Sequence, residues 1–369
     1  MKNNTKKITS LIMALAVLSI LFSTTVLAVN TSQSVSSWTF YSQECPAEAQ
    51  AHAESSVSRF LDSATEDGSV ITGSLASLGA PFTIFAEVPE VYYFPIISNG
   101  AVVATYRIFE DTATGVYTGI LSRYLAKELN ALSETADSLA ASKSENTVFL
   151  YNDKGNIMAQ INGSVKMLSP DPLGNLPELA SFDIRGYEVQ KVKPLNPTKT
   201  IDTALSIQRV PNSYYITTTS IIEKQGNNSW CGAYVAAYCI RAVQGYSTAP
   251  TAATMMSLAY SSYTTGTSFT RADAVKVAKN TYSLNPTWVT SSLSVSTVHN
   301  QISSDKPIYM FIENTGGNHA AALRGYNAVN DTYSIWNPWS DYYETISSMS
   351  TTFNSQGYSY TWTQSVYNW

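Results

Sequence analysis

The chain has 369 residues, of which 44% are apolar and 13% are charged. This length accommodates two domains with separate cores, and the composition is typical of an ordered protein. The formal net charge is −5, and the absence of a basic stripe argues against nucleic-acid binding. Its three histidines and three cysteines show no HExxH or CxxC spacing, so we expect neither a metal site nor a cofactor.

The N-terminus has the pattern of a secretory signal peptide. Three lysines precede the apolar run Leu11–Phe22, and Val26–Ala28 fits a cleavage site. The run is shorter than the roughly 20 apolar residues that span a bilayer, and no later segment is long and apolar enough. We therefore predict that residues 1–28 are removed and that the protein is secreted, with no stable membrane association.

Charge divides the rest of the chain into two parts. Acidic and basic residues balance after Pro211, so the net negative charge lies upstream. Prolines are dense before this point, and Lys191–Thr200 is predicted to be a polar, extended, exposed linker. We place a domain boundary here, with an upstream unit at 29–205 and a second unit at 206–369.

In chain order, helical periodicity, β-branched runs and turn signals predict an α+β protein. The predicted upstream elements are a helix over Pro46–Ala64, a hairpin of Val91–Ser98 and Ala101–Phe109 joined by Asn99-Gly100, a helix over Ser122–Ser142, and a hairpin of Val148–Tyr151 and Ile157–Ile161. The predicted elements of the second unit are a buried helix from Cys231, a helix over Arg271–Asn280, and strands over Ile308–Ile312, Ala320–Tyr326, Tyr333–Trp336 and Tyr358–Tyr367.

The segment from Gln225 to Tyr234 carries the strongest chemical signal. Cys231 follows Trp230 at the start of a predicted helix, and a helix N-terminus stabilises a thiolate, which is the nucleophilic form of cysteine. The Gln225 side chain is a neutral donor that can stabilise an oxyanion. Cys239 lies about two helical turns further on, too far for a disulfide with Cys231, and is predicted to be a core residue. At least one of the three thiols is therefore expected to be free.

A thiolate nucleophile needs a base, and the base needs an orienting partner. His319 follows a glycine turn at the rigid, partly exposed start of a small-residue strand, whereas His52 and His299 fall on predicted helix surfaces. Asn337 follows the next predicted strand, and its amide can accept from the imidazole N–H and fix the tautomer. Trp339 is close enough in sequence to shield that hydrogen bond from water.

These residues together resemble the papain-like cysteine peptidases, in which the same order of Gln225, Cys231, His319 and Asn337 occurs. The details are similar to the staphopains, which are secreted bacterial proteases. The shared details are the Gln-Gly-Asn-Asn-x-Trp-Cys motif, the His-Ala start of a small-residue strand, Ile-Trp-Asn-Pro-Trp and a terminus rich in Tyr and Trp. The similarity covers residues 216–369.

The resemblance implies a papain-like fold, with a helical lobe, a β-rich barrel-like lobe and a cleft between them. It makes Cys231 the nucleophile, His319 the base and then the acid, and Asn337 the residue that orients the imidazole. Gln225 and the Cys231 backbone N–H would form the oxyanion hole. Two tryptophans are expected to support the site: Trp230 and Trp339.

The resemblance also bears on the upstream unit. Related enzymes are made as prepropeptides, so residues 29–205 are predicted to be an inhibitory and fold-assisting α+β propeptide. The sequence departs from the staphopain pattern at Gly232-Ala233, where the two small residues occur in the reverse order.

We therefore expect a secreted bacterial endopeptidase, made as a zymogen, that cleaves peptide bonds through a thioester acyl-enzyme. Its expected partners are protein or peptide substrates, its own propeptide and a dedicated protein inhibitor, and we expect a monomer. Two alternatives remain open. A transglutaminase-like acyl transferase would use the same residues but would usually have an aspartate in place of Asn337. A catalytically silent secreted binding protein would be expected to have lost at least one of the four residues.

Overall fold

Strands outnumber helices, and nearly all of their pairings are antiparallel, as runs of β-branched and aromatic residues between turn signals predict. The computed structural model describes residues 39–369, with gaps at 73–74, 89, 113, 140–146, 173, 179–180, 202–211 and 315–316 and without the side chains of 133–139. The predicted signal peptide at 1–28 lies outside the described residues.

The described residues form six α-helices: α1 Ala47–Glu66, α2 Ala126–Leu139, α3 Cys231–Gln244, α4 Ala252–Ala259, α5 Arg271–Tyr282 and α6 Val295–Ile302. Four of them correspond to predicted helices, although α2 starts later than expected and its predicted end at Ser142 lies outside the described residues. The additional helices, α4 and α6, begin after Thr251 and Ser294. Each of these hydroxyls accepts from a backbone N–H three residues on, so an N-cap signal could have identified both helices.

The strands described form one sheet of 14 and one of 5. The upstream strands are β1 Thr39–Ser42, β2 Ala76–Gly79, β3 Phe82–Thr83, β4 Tyr92–Ser98, β5 Ala101–Asp111, β6 Val116–Ser122, β7 Thr147–Asp153, β8 Asn156–Ile161, β9 Ser164–Ser169, β10 Gln190–Val192 and β11 Pro197–Ile201. The later strands are β12 Ser213–Tyr215, β13 Thr287–Val289, β14 Ile308–Asn314, β15 Gly317–Asn327, β16 Thr332–Trp336, β17 Glu344–Ser347, β18 Thr352–Ser355 and β19 Tyr358–Tyr367.

Both predicted upstream hairpins are present, and the backbone explains their turns. Asn99 and Gly100 join β4 to β5 with φ values of 53° and 77°. Lys154 and Gly155 join β7 to β8 with φ values of 54° and 87°. Such left-handed conformations at both central residues are what a tight type I′ turn requires. The second turn therefore has only two central residues and is shorter than the loop predicted over 152–156.

The predicted linker at Lys191–Thr200 is not a free linker, and this prediction is wrong. β10 pairs with β1, and β11 pairs with β2, so both ends of the stretch belong to sheets. Pro197 is the first residue of β11, a position in which proline is tolerated in a strand. Most of these side chains are exposed. The polarity of the stretch therefore reflects strands with solvent-facing side chains.

The larger sheet runs through both predicted units without a break. β6 pairs with β17, with Ile120 opposite Ile346 and Leu121 opposite Thr345. The main path of the sheet is β11-β2-β4-β5-β6-β17-β16-β15-β14-β19-β13. One apolar cluster contains residues of both predicted units, among them Ile120 and Ile346. The described residues belong to one compact unit. The fold is α+β, as predicted.

Helix α3 packs against α4, α5 and β15, whereas α6 packs against β14 and β15. Every residue from Gly232 to Ala242 is buried, including Arg241, so the prediction of a buried helix is confirmed. None of the described helices combines the length and the apolar character needed to cross a bilayer.

Candidate active site

Helix α3 presents Cys231 at its first position. The N-cap residue is Trp230, whose side chain makes no capping hydrogen bond to the first turn. The first N–H groups of a helix lack partners within it and carry partial positive charge. Here the backbone N–H groups of Cys231 and Gly232 lie near the thiol sulfur and act to lower its pKa. The local structure thus places the sulfur where negative charge is stabilised.

Gly232 allows the start of α3 to lie against its neighbours. A Cβ at this position would be 2.3 Å from the Phe269 carbonyl oxygen and 2.7 Å from the Tyr309 hydroxyl oxygen. Non-bonded atoms do not pack so closely, so one of these groups would have to move. The methyl of Ala233 is accommodated in the core. Packing therefore requires the order Gly-Ala after the cysteine in this chain.

We expect Gly232→Ala to displace the start of α3 and to lower both stability and hydrolysis. Overpacking of this kind reduces the free energy of unfolding by about 1–3 kcal/mol, which urea denaturation can measure. Gly266→Ala is the matched control, because a Cβ there would meet only the Thr264 hydroxyl at 3.8 Å. Parental stability and activity in Gly232→Ala would show that the tight contact has no influence on the site.

His319 lies near the start of β15, opposite Ile312 of β14. It is buried, with 3% of its surface exposed, which is less than a partly exposed strand start predicts. The imidazole packs against the rings of Trp339 and Tyr360, whose centroids lie 3.9 Å and 5.8 Å from its own. The backbone N–H of the next residue, Ala320, acts to lower the pKa of the Cys231 thiol and therefore lies near the sulfur. β15 therefore brings the predicted base and the predicted nucleophile into one neighbourhood.

The hydrogen bond between His319 and Asn337 fixes the state of the imidazole. His319 Nε2 lies 2.9 Å from Asn337 Oδ1. An amide oxygen can only accept, so Nε2 carries the proton and Nδ1 of the neutral ring keeps its lone pair. Asn337 Oδ1 also accepts from the Trp339 backbone N–H at 3.1 Å, and the Trp339 ring stacks on His319 with centroids 3.9 Å apart. The tryptophan therefore covers the predicted hydrogen bond.

Burial sets the resting charge of the pair. It raises the pKa of the Cys231 thiol to about 11, although backbone N–H groups, including that of Ala320, act to lower it. Burial lowers the pKa of His319 to about 4, and the hydrogen bond with Asn337 acts in the opposite direction. The thiol and the ring, both fully described, are not hydrogen-bonded to each other. At neutral pH the site rests as thiol and imidazole, whereas the helix start alone predicts a thiolate.

Alkylation of Cys231 by iodoacetamide should therefore be slow at pH 7 in the full chain. Only the thiolate reacts, and burial holds the pKa of this thiol at about 11. Its rate constant should rise about tenfold per pH unit towards pH 10. Peptide mapping distinguishes Cys231 from Cys45 and Cys239, which are also free. A rate already constant between pH 6 and 8 would instead reveal a preformed thiolate–imidazolium pair.

Gln225 lies beside the histidine–asparagine pair. Its backbone N–H donates to the carbonyl oxygen of Pro338, the residue after Asn337, at 2.8 Å. Its side-chain Nε2 donates to the Asn228 carbonyl oxygen at 2.6 Å, within the loop that leads to Cys231. An amide nitrogen has two protons, so one remains for a developing oxyanion.

Trp230 anchors the loop that enters α3. Its indole Nε1 donates to the Thr264 carbonyl oxygen at 3.0 Å, and its ring packs edge-on against Tyr263 with centroids 5.3 Å apart. The adjacent Ser229 N–H donates to the Thr265 carbonyl oxygen at 2.7 Å. These contacts fix the backbone immediately before Cys231.

Upstream residues contact the same region. The Tyr358 hydroxyl donates to Asp171 Oδ1 at 2.6 Å. A Cβ on Gly174 would lie 2.7 Å from Asn227 Nδ2, so the upstream backbone passes directly over the loop between Gln225 and the helix. The described residues Asp171, Pro172 and Gly174 are together called the 171–174 loop below.

A cavity of about 1050 Å³ lies beside this loop. Its lining includes Gln225 and Trp339 of the predicted site but neither Cys231 nor His319. The cavity therefore borders the predicted oxyanion side and does not contain the reacting atoms.

Ser355 is a neighbour of the site that no sequence signal indicates. Asn337 Nδ2 donates to Ser355 Oγ at 2.8 Å, and both residues are fully buried. Ser355 ends β18, a short polar strand before a glycine turn. Its partner is set by tertiary packing, so the local sequence could not have identified it.

The other candidate residues lie elsewhere. Cys239 is fully buried and free, which confirms the prediction of a core residue. His52 is half-buried on α1, and His299 on α6 stacks on Tyr326 with ring centroids 3.9 Å apart. In the described part of the chain, no cluster of His, Cys, Asp and Glu could hold a metal ion.

Comparison with known proteins agrees with this geometry. The family model of the Peptidase_C39 like family matches residues 217–367, which contain Cys231, His319 and Asn337. The match supports a cysteine peptidase of papain-like type and, more broadly, cysteine peptidase or transglutaminase-like chemistry. It covers none of the upstream part. No curated protein matches the chain.

Proposed function

We propose that the protein is a secreted bacterial cysteine endopeptidase, made as a zymogen. One observation carries this proposal: His319 Nε2 lies 2.9 Å from Asn337 Oδ1, next to a thiol at a helix start. That hydrogen bond leaves Nδ1 as the base. The backbone N–H of Ala320, the residue after His319, lies near the sulfur and acts to lower its pKa. A nucleophile, a base and an orienting amide are the groups that acyl transfer through a thioester requires.

The reaction would begin as Cys231 Sγ attacks the peptide carbonyl carbon and its proton passes to His319 Nδ1. The carbonyl oxygen becomes an oxyanion, which the Gln225 Nε2–H and the Cys231 backbone N–H stabilise. The C–N bond then breaks, and the amine leaves with the proton from His319. Water, deprotonated by His319, attacks the thioester, so that the carboxylic product and the thiol are released.

The neutral resting pair suits this sequence of steps. A single buried charge is strongly disfavoured, whereas a thiolate beside an imidazolium is stabilised by mutual attraction in a site of low dielectric constant. The charges would therefore appear together, when the substrate brings sulfur and ring into hydrogen-bond contact. Catalytic hydrogen bonds are often absent from unliganded sites and tighten in the complex.

The remaining parts of the proposal concern organisation. Helices α3–α5 and strands β12–β19 would form the two lobes of a papain-like domain, and residues 1–28 would be removed on export. The partners would be protein or peptide substrates, with the upstream part and a dedicated protein inhibitor as inhibitors. The enzyme would act as a monomer without a cofactor.

Latency would come from the 171–174 loop, because it lies on the loop before Cys231 and is tied to Tyr358. Asp171→Ala removes the carboxylate that accepts from Tyr358 and from the Asn175 backbone N–H. We expect the uncut chain to become about tenfold more active, since hydrogen bonds to a charged group contribute about 1.5–3 kcal/mol. Asp183→Ala is the control, because among the residues that the structure describes this exposed carboxylate pairs only with nearby Arg185. Equal basal activity in both variants would argue against this source of latency.

A product assay tests the proposed function. The chain from Val29, allowed to process, is incubated with casein in water enriched in ¹⁸O, with and without an excess of methylamine. A hydrolase gives new carboxyl termini that contain ¹⁸O, and their yield changes little with the amine. Dominant methylamide products would instead identify an acyl transferase. The absence of both products would favour a silent binding protein.

A further inference from the structure

A buried chain of polar groups connects the upstream part to Asn337. Arg107 of β5 donates from Nη2 to Glu344 Oε1 of β17 at 3.2 Å. Glu344 Oε2 accepts from the Ser355 hydroxyl, and Ser355 Oγ accepts from Asn337 Nδ2 at 2.8 Å. All four side chains are fully buried. This series of hydrogen bonds therefore begins in the predicted propeptide and ends at the residue that orients His319.

The Glu344 carboxylate sets the direction of every hydrogen bond between itself and His319. A carboxylate can only accept, so the Ser355 hydroxyl must donate to Glu344. The lone pairs of Ser355 then face the Asn337 amide and select its Nδ2 as the donor. The amide oxygen consequently faces His319 Nε2, which must carry the proton. The ionised state of Glu344 thus determines which ring nitrogen of His319 is the base.

Arg107 is the main group that favours the ionised form of this carboxylate. Burial raises the pKa of Glu344, and the Arg107 guanidinium is the largest opposing influence. A protonated Glu344 could donate to Ser355, and the Ser355 hydroxyl would then be free to turn towards Asn337. The amide could rotate and present Nδ2 to His319, which would move the imidazole proton to Nδ1. That tautomer has no lone pair at the nitrogen that accepts the thiol proton.

One contact within the second unit opposes this rotation. The Trp339 backbone N–H donates to Asn337 Oδ1 at 3.1 Å and favours the oxygen on the histidine side. Removal of the Arg107 guanidinium should therefore give a mixture of the two His319 tautomers rather than complete conversion to the Nδ1–H form.

We propose that Arg107, although upstream, is a positioning residue for the active site and holds His319 in its Nε2–H tautomer through Glu344, Ser355 and Asn337. The upstream part would then have two separate roles. Its 171–174 loop restrains the region before Cys231, and β5 supports the site from within the sheet. The relevance to catalysis rests on the proposed function, but the tautomer can be measured without any substrate.

A second ion pair between the same two parts provides the control. Asp67 Oδ2 lies 3.2 Å from Arg324 Nη2, and both side chains are buried. The other polar partners of this pair are the Ser334 hydroxyl, the Ser69 backbone N–H and the Ile216 carbonyl oxygen, and none of them is hydrogen-bonded to Asn337. Asp67→Asn therefore weakens a buried connection of the same kind without touching the chain to the active site.

The experiment uses the full chain from Val29 with ¹⁵N-labelled histidine, on a Cys231→Ala background that prevents self-cleavage. Only three histidines are present, so the ring ¹⁵N signals of His319 can be assigned by His319→Gln. We expect the parent to show Nε2–H, and Arg107→Met to show both tautomers. Arg107→Met with Glu344→Gln should restore the parental signals, because a glutamine oxygen accepts from Ser355 without a charge. Asp67→Asn should also keep them.

Hydrolysis by the same variants with Cys231 intact gives a second readout. Arg107→Met should lower kcat about tenfold with little change in KM, as expected when one hydrogen bond no longer orients the base. The double variant should recover most of this loss. If Arg107→Met does not fold, the double variant and Ser355→Ala decide the matter: the first should show parental signals and the second a mixture.

Two outcomes would overturn the inference. One is an unchanged His319 tautomer in Arg107→Met, or in Ser355→Ala where that variant is needed. The other is an equal change in Asp67→Asn, which would reduce Arg107 to a general structural role. Failure of the proposed function is distinguishable, because a chain that hydrolyses no casein would still report its tautomer.

Discussion

Cys231→Ala should abolish casein hydrolysis and leave the protein folded. Removal of the nucleophile from a protease triad reduces kcat by about 10⁶-fold, so no turnover should be detectable. The thiol is a small group at the start of α3, and the backbone N–H groups that contact it belong to a helix held by many other buried residues. Hydrolysis and circular dichroism, measured on the same preparation, test both halves of the prediction.

Cys239→Ala is the matched control, since it removes the same atom from the same helix. Cys239 is fully buried in the core and lies about two helical turns beyond Cys231. This variant should keep its activity and lose about 1 kcal/mol of stability through the cavity it creates. Activity that persists in Cys231→Ala, or disappears in Cys239→Ala, would contradict the assignment of Cys231 as the nucleophile.

The second unit expressed alone, as residues 206–369, should fail to fold into a stable monomer. Separation from the upstream part leaves the edge of β17 unpaired and takes the partners away from Glu344 and Arg324, both buried. Breaking a buried ion pair costs about 3–5 kcal/mol. Two such losses are comparable with the whole stability of a typical domain, about 5–15 kcal/mol.

The comparison is with a full-length Cys231→Ala chain that carries an inserted protease site between residues 201 and 212. After cleavage there, its two fragments should elute together from a size-exclusion column, because the sheet and both ion pairs persist. The separate fragment should aggregate or show the circular dichroism of an unfolded chain. A folded, monomeric fragment 206–369 with the melting temperature of the full chain would contradict the prediction. It would favour a propeptide that is readily released.

The elements that the sequence predicts are those with a strong local pattern. Helix α3 is apolar on every face, and Asn99-Gly100 can adopt the left-handed turn that joins β4 to β5. β17 and β18 have no such pattern, since Glu344–Ser347 and Thr352–Ser355 are short and largely polar. They form strands because β6, β16 and β19 provide partners. The prediction of an exposed linker at Lys191–Thr200 failed for the same reason, because β1 and β2, with which its ends pair, lie far away in the sequence.

The candidate site divides in a similar way. Cys231, His319 and Asn337 could be identified because their residue types and order are informative, and the structure brings them into one neighbourhood. The supporting pair Arg107 and Glu344 could not, because 237 positions separate them and only the paired strands bring them together. The neutral resting state also escaped prediction. It depends on how far the surrounding elements shield the buried ring and the partly buried thiol from water, which no local pattern reports.

The most direct test of the central claim is stoichiometric labelling of the processed enzyme with a peptidyl chloromethyl ketone. Intact mass and peptide mapping locate the label, and residual casein hydrolysis is measured on the same samples. We predict one label per chain, located on Cys231, with activity falling in proportion to its incorporation. Activity that persists when Cys231 is fully labelled, or that disappears with the label on another residue, would contradict the assignment of Cys231 as the nucleophile.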